Sequence, residues 1–244
     1  MDSEEPTGIE YGSPSQEFAT VLQTNDRLKS LASDPQRSDQ RAALRKKVLA
    51  LRSELPRPYR LHKSSAICDE LDEGLELTCA MMGIGLSGCT VAVYSAFDEE
   101  VQLDRFIRAA YAKGAQVAFP CIVTDAWSTD DTLPQTMEMR LVSQEAYETN
   151  DVPFLVNPLK KYTHDDAELE AFPYIPADKI TMIVIPLVAF DAHHNRLGYG
   201  GGNYDRYLPQ LDGSCRQIGV AFAEQEVSLI PAEPYDVPVT VLSR

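Results

Sequence analysis

The sequence predicts an α/β fold: a single domain in three layers, with helices on both faces of a mostly parallel sheet. Three observations predict it. Stretches of helical periodicity alternate with apolar runs of strand length, most plainly where a buried strand at residues 89–97 precedes a helix at 103–113 and a second strand at 115–123. Further apolar runs at 181–190, 216–222 and 237–242 complete the sheet. A chain of 244 residues with 44% hydrophobic content can bury a sizeable core, and it fits one α/β domain with additions, or two small ones; one is expected.

Residues 1–38 carry seven acidic and three basic residues among Ser, Thr, Gln, Pro and Gly. They read as a mobile acidic extension, with one helical turn near residues 18–22, ahead of a domain at 39–244. From Asp39 the pattern changes: Leu44, Val48, Leu51 and Leu55 recur at helical spacing until Pro56 and Pro58 stop the run. At about 100° per residue, Arg41, Arg45 and Arg52 fall within about 40° of one another beside that stripe. A solvated cationic face is the commoner fate of such a stripe; the border of an anion-binding cleft is the other.

A second helix is expected at 59–82, with Ile67, Leu71 and Leu75 on its inner side. Leu103, Phe106, Ile107 and Ala110 mark the next, which Gly114 ends. The polar, Pro-bearing stretches 125–134 and 158–176 read as loop insertions, and 204–211 as a short helix. There is no internal repeat.

The most informative segment follows the run at 181–190. Gly198, Gly200 and Gly202 stand at alternate positions with Gly201 between the last two, so an oxyanion can approach the backbone N–H groups without meeting Cβ atoms. A helix opening just after the loop adds its dipole. The loop lacks the Gly-Lys-Ser/Thr ending of a P-loop and the spacing of a dinucleotide fingerprint. Its neighbours Arg196, Asp205 and Arg206 favour phosphate: arginine forks onto phosphate oxygens, and a carboxylate can hold the accompanying magnesium. Asp98-Glu99-Glu100 and the segment around Glu224 also follow strand ends, where ligands collect in open α/β sheets.

A formal charge of −15 and a pI near 4.6 argue against a nucleic-acid surface, so any basic function must be local. No apolar run reaches bilayer-spanning length and the first twenty residues are acidic, so no membrane association and a cytoplasmic location are expected. Cys68, Cys79, Cys89, Cys121 and Cys215 show no C-x-x-C pair and are expected to be reduced. Adjacent His193 and His194 point apart on an extended loop and read as solvated surface.

These residues together resemble a known family. Asn195-Arg196-Leu197-Gly198-x-Gly200-x-Gly202-x-Tyr204-Asp205-Arg206, preceded by Ala189-Phe190-Asp191, resembles the signature of 5-formyltetrahydrofolate cyclo-ligase, also called 5,10-methenyltetrahydrofolate synthetase. Arg41-x-x-x-Arg45, Glu100-Val101, Ile218-Gly219-Val220-Ala221-Phe222 and Glu233-Pro234-Tyr235-Asp236 follow the family's order, so the likeness spans about residues 39–244. It implies a cyclo-ligase-like single domain that uses MgATP to convert 5-formyltetrahydrofolate into 5,10-methenyltetrahydrofolate.

By the same resemblance, Arg41, Arg45 and the segment Arg196, Leu197, Gly198, Tyr199, Gly200, Gly201, Gly202, Asn203 and Tyr204 would hold ATP. Of these, Arg45, Arg196, Gly200, Gly202 and Tyr204 would be catalytic. Glu100, with Tyr199, Gly200, Gly201, Gly202 and Asn203, would meet the reduced formylfolate, and Asp205 and Asp236 the magnesium. A monomer is expected. Arg41 stands where the family has lysine, His194 where it has a turn glycine, Leu103 where it has threonine, Asn203 where it has an aromatic residue, and Tyr235 where His or Asn is frequent; Val156-Asn157-Pro158 replaces a common Glu-Pro. Two other classes fit the residues: a folate or nucleotide binder without turnover, and an ATP-dependent enzyme of the same fold acting on another small substrate.

Overall fold

A computed structural model describes residues 34–124, 135–158 and 160–244. Residues 1–33 of the expected extension, with its helical turn, and the insertion at 125–134 lie outside them, whereas residues 35–38, also expected in the extension, already belong to the first helix.

Helix α1, Pro35–Glu54, starts on an Asp34 cap whose carboxylate accepts from the Gln36 amide at 3.0 Å, and stops before Pro56. Helix α2, Arg57–Met82, ends at Gly83 in the left-handed region, φ +66°. Strand β1, Thr90–Ala92, and helix α3, Asp104–Ala112, lead into β2, Gln116–Thr124, and β3, Thr136–Val142. Two short helices follow, α4 at Gln144–Glu148 and α5 at Pro153–Val156, then β4, Lys161–Thr163, and β5, Tyr174–Ile175. The chain closes with β6 at Met182–Pro186, β7 at Ala189–Phe190, β8 at Arg196–Leu197, α6 at Asn203–Tyr207, β9 at Arg216–Ala221 and β10 at Thr240–Ser243.

The main sheet runs β10-β9-β6-β1-β2-β3-β5, with β4 also on β2; β3 pairs antiparallel with β2 and β5, and the other pairs are parallel. Alternate residues serve opposite faces. Val91, Val117 and Val184 join Ile67, Leu71 and Phe106 from α2 and α3, while Ala92, Ala118 and Ile183 join Tyr207 and Leu208 around α6. Both faces are therefore covered, as strands without a solvated side require.

Four expectations change. The stretch 158–176 is no plain loop: β4 pairs with Ile122–Thr124 on the side of β2 that β1 has left, and β5 extends the antiparallel edge. Their few residues carry too little periodicity to read. The run 181–190 is broken at Pro186, which cannot donate to the ladder, and its last residues form a hairpin with β8. The run 89–97 pairs in the sheet only over its first residues, and those beyond Val93 turn toward the site. Cys79 and Cys89 are joined by a disulfide, because the Gly83 reversal brings their Cα atoms to 6.8 Å; Cys68, Cys121 and Cys215 are buried thiols.

Candidate active site

The glycine loop is carried by the β7–β8 hairpin, which stands off the main sheet and is held from three sides. Asp191, 2% exposed, accepts from the His193 and Asn195 amides at 2.9 and 3.1 Å, from Asn195 Nδ2 at 3.1 Å and from the Ile230 amide at 2.9 Å. Burial pushes its carboxyl up, but the four donors outweigh it and hold it below the usual aspartate value. Gln225 donates from Nε2 to the Leu187 and Val188 carbonyls, both at 2.9 Å, tying the hairpin's approach to the end of β9. Val48, Leu44 and Leu49 of α1 pack on Val188, Leu197 and Ile230. His194 occupies the left-handed region at φ +66°, the conformation a turn glycine would take without cost.

Packing on the hairpin turns the arginine stripe of α1 into the cleft. Arg45 Nε donates to the Gly198 carbonyl at 2.7 Å, and a Cβ on Gly200, φ +109°, would lie 3.6 Å from the Arg45 guanidinium carbon. Arg41 forks onto Asp236 at 2.5 and 3.2 Å and donates to the Pro231 carbonyl at 2.9 Å. Arg196 Nη2 meets Asp205 Oδ1 at 2.7 Å. These groups and the four glycines line a cleft of about 410 Å³. Leu51 lies about 100° around the helix from Arg52 and is 43% exposed, so it is not part of the inner stripe.

The three cationic groups differ. Arg41 and Arg196 each have a carboxylate, whereas Arg45 makes no ion pair among the described residues. Its guanidinium sits below the usual arginine value, chiefly through burial and then through Arg41, against the pull of Asp236. It remains protonated at neutral pH and faces the glycine loop without a carboxylate in direct contact among the described residues. Asp205 and Asp236 open on the same cleft, and α6 is only five residues long, so backbone amides and arginines rather than a helix dipole supply the positive field. Among the described residues no group of three or more His, Cys, Asp and Glu side chains could hold a metal unaided. Two carboxylates do suit a magnesium ion whose other ligands are phosphate and water.

The opposite rim is built differently. Glu100, 4% exposed, accepts from the Phe97 amide at 2.9 Å and from the Tyr199 hydroxyl at 2.7 Å; that hydroxyl accepts from Arg52 Nη2 at 2.6 Å. Phe97 packs edge-on against Tyr199 with ring centroids 6.2 Å apart. Burial pushes Glu100 above the ordinary glutamate value, opposed by Tyr199, the Phe97 amide and Arg52. Tyr204 lies beside the glycines with its buried hydroxyl unpartnered among the described residues.

Most of the expected site residues line one cleft; Glu100 does not, and reaches it only through the Tyr199 hydroxyl. Leu197 is fully buried in the hairpin and does not line the cleft, and Asn203 accepts from Arg206 at 2.6 Å. Glu224 is taken by the Tyr59 hydroxyl at 2.6 Å and does not line the cleft. His193 and His194 are exposed. Arg52, Asp191 and Gln225 have structural roles that sequence reasoning did not assign. Arg52 carried a signal in its place on the stripe and Asp191 in its place within the family signature; Gln225 carried none.

A family model described as the 5-formyltetrahydrofolate cyclo-ligase family matches residues 37–243. The 5-formyltetrahydrofolate cyclo-ligase of Escherichia coli (strain K12) is 30% identical over 156 residues, 62% of this chain and 74% of that one. The Haemophilus influenzae enzyme of the same name is 29% identical over 150 residues, covering 61% and 72%. A solved 5,10-methenyltetrahydrofolate synthetase from Mycoplasma pneumoniae superposes with a TM-score of 0.58 at 25% identity, over 82% of this chain and 96% of that one. The Aquifex aeolicus synthetase, with a TM-score of 0.56, 22% identity and coverage of 83% and 89%, shares the fold.

Proposed function

The chain belongs to the 5-formyltetrahydrofolate cyclo-ligase family, and from that membership we propose that it converts 5-formyltetrahydrofolate into 5,10-methenyltetrahydrofolate with ATP as the driving co-substrate. The observation that carries this reading is Arg45, a guanidinium without an ion-pair partner among the described residues, set against Gly198 and Gly200 in a cleft that also holds Arg41 and Arg196.

A formamide oxygen is a poor leaving group. The γ-phosphoryl group passes to that oxygen as ADP departs; nitrogen 10 then attacks the formyl carbon, and the ring closes with loss of phosphate and of the nitrogen 10 proton. Such a transfer needs alignment and charge neutralisation rather than a protein nucleophile. Arg45, Arg41 and Arg196 supply fixed cations, and Gly198 to Gly202 supply amides that approach closely because no Cβ intervenes. Asp205 and Asp236 would hold a magnesium ion, whose chemistry there is to neutralise phosphate charge. Tyr204 and Tyr199 wall the reacting centre, and Glu100 accepts pterin N–H groups. A second cavity, about 340 Å³, is lined by Tyr94, Gln102, Leu103, Arg108 and Tyr147 and would receive the remainder of the folate.

The test is turnover. The protein, incubated with MgATP and 5-formyltetrahydrofolate, is expected to produce the methenyl chromophore and ADP in equal amounts. ATP consumption indifferent to folate, or binding of both without product, would overturn the reading.

A further inference from the structure

Arg52 takes no part in the phosphate half of the cleft, yet it is a cation only 3% exposed, and no ion pair engages it among the described residues. A buried charge without direct compensation is costly, so its surroundings should show how the cost is met. They meet it in part: Nη2 donates to the Tyr199 hydroxyl at 2.6 Å, the guanidinium carbon lies 5.7 Å from the centre of the Tyr199 ring, and the hydroxyl reaches Glu100 Oε1 at 2.7 Å, while the buried Nε has no partner among the described residues.

The chemistry of the three groups fixes the direction of this chain. A guanidinium only donates and a carboxylate only accepts, so the phenolic proton must lie on the Glu100 side. The phenol therefore transmits the arginine's charge to the carboxylate while its other oxygen valence is closed by Arg52. The same two bonds pin the ring of Tyr199, the residue between Gly198 and Gly200. Glu100 is left with lone pairs free on both oxygens and with its second bond, from the Phe97 amide, holding the far side.

We infer that Arg52 is a positioning residue for the folate half of the reaction, holding Tyr199 and, through it, the Glu100 carboxyl group in register with the glycine loop. The inference deepens the proposed function and rests on it for the identity of the ligand, but the loop-holding part stands on geometry alone. Arg45 clamps the other side of Tyr199 through Gly198, so loss of Arg52 should loosen the folate side and spare the phosphate side.

Four variants of the full chain decide it: Arg52→Ala, Arg52→Lys, Tyr199→Phe and the Arg52→Ala/Tyr199→Phe double. Arg52→Ala should raise the KM for 5-formyltetrahydrofolate about tenfold, the loss of one charge-assisted hydrogen bond, while the KM for ATP moves less than about threefold. Arg52→Lys should recover part of the loss. The double variant should be no more than about threefold worse than the poorer single, because both break one relay. Amide hydrogen exchange at residues 198–203 should quicken about tenfold in Arg52→Ala while α2 stays protected. Equal losses for ATP and folate, additive losses, or unchanged exchange at 198–203 would overturn the inference. If the parent protein makes no methenyl product, it is the functional reading that fails, and the exchange measurement still decides whether Arg52 holds the loop. Should Arg52→Ala not fold, Arg52→Lys and Tyr199→Phe carry the same comparison.

Discussion

The two halves of the cleft draw on the same helix face and solve opposite electrostatic problems. On the Arg45 side, charges are paired directly, Arg41 with Asp236 and Arg196 with Asp205, and one guanidinium has no carboxylate against it among the described residues. On the Glu100 side the charges are sealed, with Arg52 and Glu100 both nearly inaccessible and joined through a phenol. A phosphate can compete for the donors of the first half, since carboxylate and phosphate accept from the same groups. In the second half a ligand must accept an environment already fixed. Binding strength should therefore come mainly from the first, and orientation and discrimination from the second.

The largest expected effect would break the comparison by removing what both halves stand on. Asp191→Ala leaves buried amides of the hairpin turn and Ile230 unpaired, and should cost about 2–4 kcal/mol in denaturant unfolding. Because the Asp191 carboxyl is held below its unfolded value, that contribution is complete above the unfolded value and is lost as pH falls through the native one. The difference between the native and Asp191→Ala proteins should shrink correspondingly in acid.

Arg45→Ala sharpens the comparison by emptying one half alone. ATP affinity, read by calorimetry, should weaken by roughly 1.5–3 kcal/mol, about tenfold to a hundredfold or slightly more, with folate affinity nearly unchanged. Parallel losses for both ligands would show that the halves are not separable.

Glu100→Gln tests the other half through pH. Burial raises the Glu100 carboxyl, with Tyr199, the Phe97 amide and Arg52 opposing, and the buried phenols of Tyr94 and Tyr204 also feel its charge. Protonation thus begins at a higher pH than for an ordinary glutamate. The kcat/KM for folate should fall as pH drops through that point, and the Gln variant should lack this break. A break in the ordinary carboxylate range, or one that persists in the variant, would contradict the assignment.

The smallest effect concerns the turn. His194→Gly relieves a left-handed residue at the cost of a more flexible unfolded chain, and should gain roughly 0.5–1 kcal/mol without altering either half. A loss of folate turnover on that change would mean the His194 side chain reaches the site.

Much of this could be read before any coordinates existed, because it is local. Helical spacing announced α2 and α3, apolar runs announced β2, β6 and β9, and the glycines announced a backbone open to an anion. Gly219 shows the limit of such reading. It looks like any strand glycine, yet a Cβ there would come within 2.9 Å of a Leu187 methyl and crowd Val239 and Val241, so the packed sheet alone explains it. Strands β4 and β5 stayed hidden because a three-residue and a two-residue strand have no measurable period and exist only where β2 and β3 offer free edges. Likewise nothing in the spacing 41, 45, 52 says which arginine keeps a carboxylate, which stays unpaired, and which is sealed behind a tyrosine.

What the chain determined by itself was therefore the alternation of elements, the anion-ready loop and the helix face carrying three arginines, all consequences of backbone periodicity and of glycine's missing side chain. Tertiary structure decided the pairing: Asp236 comes to Arg41 across 195 residues, Gly198 to Arg45 across 153 and Tyr199 to Arg52 across 147. Charge compensation acts through space over a few ångströms, and only folding turns separations of that length into contact.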